Sequence, residues 1–287
     1  MHAPKLSATT LALMAAMATS VLSGQAEAKD WQSVTIALEG AYEPWNLTNP
    51  DGSLGGFEPE LAANLCARMK VKCKLIAQDW DGMIAGLKVG KFDVIMDGLA
   101  VTEERKKEIA FSVPYASTPA VFAALKNGRS ANLSGTGKEI SLTGRAATDK
   151  PAMDLLRKEL KGKTIGIQTG TAFAPFIYTN FKEVASIREY KTAAEHDMDL
   201  QAGRIDVAFD DATYFVSAFA RPDNKTLAFT GPKIGGPIWG VGEALGFRQA
   251  DTDLKARFDV AIKAALADGT VKKLSEKWFK LNIAPKQ

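Results

Sequence analysis

Leu87-Lys88-Val89-Gly90-Lys91-Phe92-Asp93-Val94-Ile95-Met96-Asp97 reads as the end of a helix, a glycine that closes it, a basic residue, and a short apolar strand that stops on a carboxylate. The same order returns in Leu200-Gln201-Ala202-Gly203-Arg204-Ile205-Asp206-Val207-Ala208-Phe209-Asp210, with Gly90 against Gly203, Asp93 against Asp206 and Asp97 against Asp210. A weaker echo sets Thr35-Ile36-Ala37-Leu38-Glu39 against Thr164-Ile165-Gly166-Ile167-Gln168. Together the echoes predict two similar lobes.

Outward from these repeats, strand-like and helical runs alternate. Val34 to Leu38, Phe92 to Met96, Thr164 to Ile167 and Ile205 to Phe209 are apolar and strand-like. Pro59 to Met69 and Leu254 to Leu266 carry apolar residues at helical spacing. This alternation predicts an α/β protein with mostly parallel sheets flanked by helices. In open sheets of that kind ligands sit outside the carboxyl ends of the strands, which marks Glu39, Asp97, Gln168 and the pair Asp210-Asp211 as cleft residues. Asn127 to about Lys150 is rich in Gly, Ser, Thr and Lys, has no sustained period and reads as a surface excursion. Within it Gly135-Thr136-Gly137-Lys138 lacks the first glycine and the closing Ser or Thr of a phosphate loop.

The chain has 287 residues, 46% hydrophobic and 24% charged, with a net charge of +3, and this composition excludes a disordered protein. Lys and Arg are interleaved with acidic residues, so the mild basicity implies no nucleic-acid partner. Residues 1–28 read as a signal peptide: a weakly basic start with Lys5, an apolar stretch from Leu11 to Leu22, and Ala26-Glu27-Ala28 as the cleavage pattern. The position after Leu22-Ser23-Gly24 is Gln25 and not a lipid-accepting Cys, so an exported, soluble, periplasmic protein is expected, cleaved after Ala28. Export places Cys66 and Cys73 where disulfides persist, and the two are expected to pair. Processing leaves a single histidine, His196, which reads as a solvated residue on a helix surface and cannot supply a two-histidine metal site; no metal or cofactor is expected.

Four blocks carry a resemblance: Glu39-Gly40-Ala41-Tyr42-Glu43-Pro44-Trp45 with Gly56-Phe57-Glu58; Asp93 through Asp97-Gly98-Leu99-Ala100 to Arg105; Gly166 to Thr171 with Ala202-Gly203-Arg204-Ile205-Asp206; and Asp268-Gly269-Thr270 with Lys277-Trp278-Phe279. Over nearly the whole exported chain the sequence resembles extracytoplasmic solute-binding proteins of polar amino-acid ABC importers, the group that includes histidine-, lysine/arginine/ornithine- and opine-binding proteins. The resemblance implies a two-lobed periplasmic-binding-protein fold with two crossing hinge segments, lobe 1 being 29–116 plus 241–287 and lobe 2 being 117–240. It implies a protein that does no chemistry and delivers a cationic amino acid, or an opine such as octopine or nopaline, to an inner-membrane permease; nothing in the sequence forces an oligomer, so a monomer is expected. A dehydratase-like enzyme on the same scaffold is the alternative.

The resemblance also implies roles. Arg105 would bind the ligand carboxylate through its planar fork, with backbone N–H groups of Ala100 and Thr171 adding donors. Asp211 would bind the ammonium. Tyr42 and Trp80 would flank the ligand side chain, with Glu39 and Asp97 supplying negative charge. Many relatives have Ser where this chain has Asp97, Gly98 and Ala100, so the pocket should be wider here, while Gln168 and Phe173 stand on its outer wall. The stripe from Leu274 to Phe279 is expected to be core packing.

Overall fold

A computed structural model describes residues 31–285; the expected signal peptide lies outside the described residues. Ser33–Leu38 lies one strand in from the edge of a five-stranded sheet, pairing in parallel with Lys72–Ala77 on one side and Val94–Ile95 on the other. Gly246–Phe247 and Ala110–Phe111 extend it, antiparallel. A second sheet of six strands is built alike. Thr164–Gln168 pairs in parallel with Ser186–Tyr190 and Val207–Asp211, and Ala120–Leu125 then runs antiparallel between Val207–Asp211 and Leu227–Gly235. The fold is the two-lobed α/β architecture expected, with each sheet mixed. One strand in each sheet, Gly246–Phe247 in the first and Ala120–Leu125 in the second, follows a crossing segment and runs against the others.

The chain passes from Ala110–Phe111 in the first sheet to Ala120–Leu125 in the second, and returns from Leu227–Gly235 to Gly246–Phe247. The two crossing segments are bonded to each other: Glu243 N–H donates to Ala116 O (2.9 Å) and Tyr115 N–H donates to Glu243 O (2.9 Å).

Central strands with two covered faces read as apolar runs, and both halves obey this. On one face of the first sheet Ile36 and Leu38 pack with Trp45, Phe57, Leu65 and Phe258; on the other Ala37 and Ile95 pack with Met83, Leu87 and Phe92. Phe57 and Trp45 are essentially inaccessible, and each side chain of that size contributes about 1.5–3 kcal/mol by leaving water. The C-terminal helix Thr270–Phe279 delivers Val271 and Phe279 to this core, with Phe279 edge-on to Trp45 at 5.0 Å, so the terminal stripe is core packing as expected. Helix Phe57–Met69 ends at Lys70 in a left-handed conformation, and the chain that turns back is tied by the Cys66–Cys73 disulfide, Cα to Cα 6.2 Å.

The segment 127–150 is more ordered than its composition suggests. Glu139–Ser141 adds an edge strand in parallel to Leu227–Gly235, and helix Ala146–Glu159 begins inside it. Three residues are too few to show a period. The turn leading into the helix is held by Asp149, whose carboxylate accepts from the N–H groups of Thr143 (3.0 Å) and Gly144 (2.8 Å).

Candidate functional site

Strand ends deliver the acidic wall. Ser33–Leu38 runs into Glu39, and Val94–Ile95 runs through Met96 into Asp97. Asp97 Oδ1 accepts from Glu39 N–H (3.1 Å) and Asn46 Nδ2 (2.6 Å). Asn46 in turn donates to Glu58 Oε2 (2.7 Å), and Glu58 Oε1 accepts from Gly98 N–H (2.7 Å) and the Tyr115 hydroxyl. Buried Glu58 and Asn46 thereby fix the Asp97-Gly98 turn from below. Gly98 has φ 52°, the left-handed region glycine favours, and a Cβ there would lie 3.5 Å from the Tyr42 ring. Burial pushes the Asp97 carboxyl well above its ordinary range, reinforced by Glu39 and Glu58. Burial likewise raises Glu39 to about 7, against the Gln168 bond and with help from Asp210.

Arg105 sits on the short helix Glu103–Glu108, capped by the Thr102 hydroxyl. The charge-rich run around it is solvated, but Arg105 is only 9% exposed. One guanidinium nitrogen donates to Ala100 O (2.9 Å), another to Gly170 O (3.1 Å), and its carbon lies 5.2 Å from the Trp80 ring centre. Burial lowers its pKa to about 10, which leaves it charged at neutral pH. Thr171 precedes the helix Phe173–Phe181 and its hydroxyl donates to Gln168 O (2.9 Å).

Asp211 ends the strand Val207–Asp211 and caps the helix Ala212–Ala220, accepting from Thr213 N–H (2.7 Å) and Tyr214 N–H (3.2 Å). The hydroxyls of Thr213 and Thr118 also donate to it. Burial raises its pKa and these donors oppose the rise.

Besides the Arg105 bond to Gly170, further side-chain contacts join the two lobes. Gln168 Nε2 donates to Glu39 Oε1 (2.9 Å), and the Tyr42 hydroxyl donates to Asp210 Oδ1 (2.6 Å) with its ring stacked on Tyr214 at 5.1 Å. Asp210 also meets His196, and here the sequence reading is corrected. His196 is inaccessible and not solvated: its Nε2 lies 3.1 Å from Asp210 and its Nδ1 3.2 Å from Asp197. Burial opposes its charge, but the two carboxylates outweigh burial and hold its pKa up at about 9.

The ten residues singled out in the sequence, Glu39, Tyr42, Trp80, Asp97, Gly98, Ala100, Arg105, Gln168, Thr171 and Asp211, all line one cavity between the two sheets. Phe173 joins Trp239 on the outer wall, edge-on at 5.3 Å. Sequence reasoning did not single out Trp45, Thr118, Ala172, Trp239 or Glu243, which also line it. Thr118 and Glu243 stand on the crossing segments, where no period marks a residue as buried. Arg105 is the single cation of the lining against four carboxyl groups, Glu39, Asp97, Asp211 and Glu243. Among the described residues no cluster of three or more His, Cys, Asp or Glu is placed to hold a metal ion.

Two α/β lobes joined by two crossing strands, with a charged cavity at the carboxyl strand ends, define a solute-binding protein. The family model of bacterial extracellular solute-binding proteins, family 3, matches residues 34–281, and the chain belongs to that family. It is 42% identical to the octopine-binding periplasmic protein of Rhizobium meliloti, over 92% of this chain and 96% of that one. It is 34% identical to the L-arginine-binding protein of Pseudomonas aeruginosa, over 95% and 97%. Among solved structures it resembles a periplasmic His/Glu/Gln/Arg/opine family-binding protein from Silicibacter pomeroyi in complex with lysine: TM-score 0.70, 29% identity, 88% of this chain and 100% of that one.

Proposed function

We propose that this chain is the periplasmic substrate-binding component of an ABC importer and takes an arginine-like cationic amino acid or an opine such as octopine or nopaline, which it hands to a membrane permease. The carrying observation is the charge content of the cavity: one buried guanidinium, Arg105, among an excess of carboxyls. An amino acid brings a carboxylate and an ammonium, each of which needs an opposite charge when buried. Arg105 suits the carboxylate and Asp211 the ammonium. Glu39 suits a guanidinium or second ammonium, with Trp80 as a flat partner.

The relatives' names support arginine and octopine as the two ligand chemistries. Export through cleavage after Ala28 fits a periplasmic protein. The crossing segments support lobe boundaries near 116/117 and 240/241, with closure about them biased by the ligand. The protein acts as a monomer and leaves its ligand chemically unchanged.

Calorimetric titration of ligand-stripped protein with arginine, lysine, ornithine, histidine, glutamine, glutamate, octopine and nopaline tests this. One-to-one binding confined to cationic amino acids or opines is expected. Binding of glutamate alone, or of nothing in the panel, would overturn the reading. Turnover of a bound compound would overturn the non-enzymatic role.

A further inference from the structure

Glu243 is held by the crossing segments. Its backbone bonds to Ala116 and Tyr115 on the other crossover, and Gly242 before it lies so close that a Cβ there would sit 2.3 Å from Ala116 O. The Glu243 side chain is 7% exposed and lines the cavity. Its two oxygens differ: Oε1 lies 3.0 Å from the Thr118 hydroxyl, whereas Oε2 is buried with no partner within the protein.

Thr118 has one hydroxyl proton to donate. Its oxygen also contacts Asp211 Oδ2, and Asp211 Oδ1 takes three further donors, a setting that favours an ionised carboxylate. If the Thr118 proton serves Asp211, the contact with Glu243 closes only when Glu243 itself carries a proton and donates it. Burial and the Asp211 charge act in the same direction, raising Glu243 to about 8. The other ionisable groups of the wall are Asp97, Glu39, Tyr42 and Arg105, and Tyr115 lies on the neighbouring crossover. Arg105, the cation among them, is already bonded to Ala100 O and Gly170 O.

We infer that Glu243 reads the ligand nitrogen as a neutral acid: it donates its proton to Thr118, and its free Oε2 accepts an N–H from the α-ammonium beside Asp211. This rests on the amino-acid reading above and adds a specificity residue to it. A secondary ammonium, with two N–H groups, would be satisfied by Asp211 and Glu243 alone, so the arrangement accommodates N-substituted amino acids as well as simple ones.

Titration of wild type, Glu243→Gln and Glu243→Ala with arginine and octopine, with melting curves to confirm folding, tests the contact. Gln keeps an N–H for Thr118 and a carbonyl for the ligand, so affinity within about three-fold of wild type is expected. Ala leaves a ligand N–H unpaired and should weaken binding roughly ten- to hundred-fold. Unchanged binding in Glu243→Ala overturns the contact while the amino-acid reading stands. A loss in Glu243→Gln as large as in Glu243→Ala overturns the neutral acid. Independently of any ligand, the infrared difference between wild type and Glu243→Gln at mildly acidic pH should contain a protonated-carboxyl C=O band; its absence overturns the protonation. A wild type that binds none of the earlier panel overturns the amino-acid reading and this contact together.

Discussion

The amide of Gln168 donates to the carboxylate of Glu39 at 2.9 Å, joining the carboxyl ends of two equivalent strands, one from each sheet. The pair crosses the cavity at the point where the weaker sequence echo aligned the same two residues. It also sets the titration of the cavity, because the bond favours the Glu39 anion while burial and neighbouring carboxylates favour the acid, with the balance near neutrality.

Affinity for cationic ligands should therefore rise with pH through about 7, where Glu39 loses its proton. A guanidinium or ammonium beside Glu39 favours the anion, so binding below that pH releases a proton. Titration in buffers of different ionisation enthalpy measures the release, and Glu39→Gln should flatten the pH dependence for arginine and leave that for glutamine as in wild type. An unchanged arginine profile in Glu39→Gln would remove Glu39 from the ligand contact.

Arg105→Ala should weaken binding of every amino-acid ligand by at least about ten-fold, since a buried carboxylate would lose its charged partner. Asp211→Asn is the matching variant, because Ala at 211 would also remove the cap of the helix Ala212–Ala220. Wild-type affinity in either, measured on protein with an unchanged melting curve, would refute the assignment.

His196 carries a pH-dependent part of the stability. Its pKa is raised from 6.5 to about 9, so the stabilisation is fully present below pH 6.5 and is lost as pH rises towards 9. The shift corresponds to about 3 kcal/mol. His196→Gln should lower stability most at mildly acidic pH and least above the raised pKa, a difference that denaturant melts at several pH values would reveal. A pH-independent loss would mean that packing, and not charge, holds His196 in place.

Reduction of Cys66–Cys73, or Cys66→Ala with Cys73→Ala, should cost about 2 kcal/mol, the low end for a loop this short. The bridge joins the helix Phe57–Met69 to the edge strand Lys72–Ala77, away from the cavity lining, so ligand affinity should hold while the melting temperature falls.

The α/β class was legible because buried strands and amphipathic helices are short-range patterns, and the helix–Gly–strand–Asp order recurs within a few residues. Glu39, Asp97, Gln168 and Asp211 could be marked for the cleft because strand ends are local features. Arg105, Tyr42 and Trp80 needed the resemblance: the run around Arg105 looks solvated, and only the approach of Gly170 from the other sheet and the Trp80 ring shows why this one charge is buried. The His196 helix was read correctly but its face was not. Glu195 and Asp197 suggest a wet surface, whereas Asp197 turns inward with His196 and Asp210 arrives from a strand that follows the helix.

Sequence by itself determined the strand and helix alternation, the two-lobe echo, the pairing of Cys66 with Cys73 and four strand-end residues, because each rests on chemistry within a few positions of the chain. Tertiary structure decided which carboxyls meet at one hydroxyl, as Asp211 and Glu243 do at Thr118, and which stand apart from it. Glu243, Thr118 and Asp211 come from three separate segments, and the environment of a buried ionisable group is set by whatever the fold packs against it.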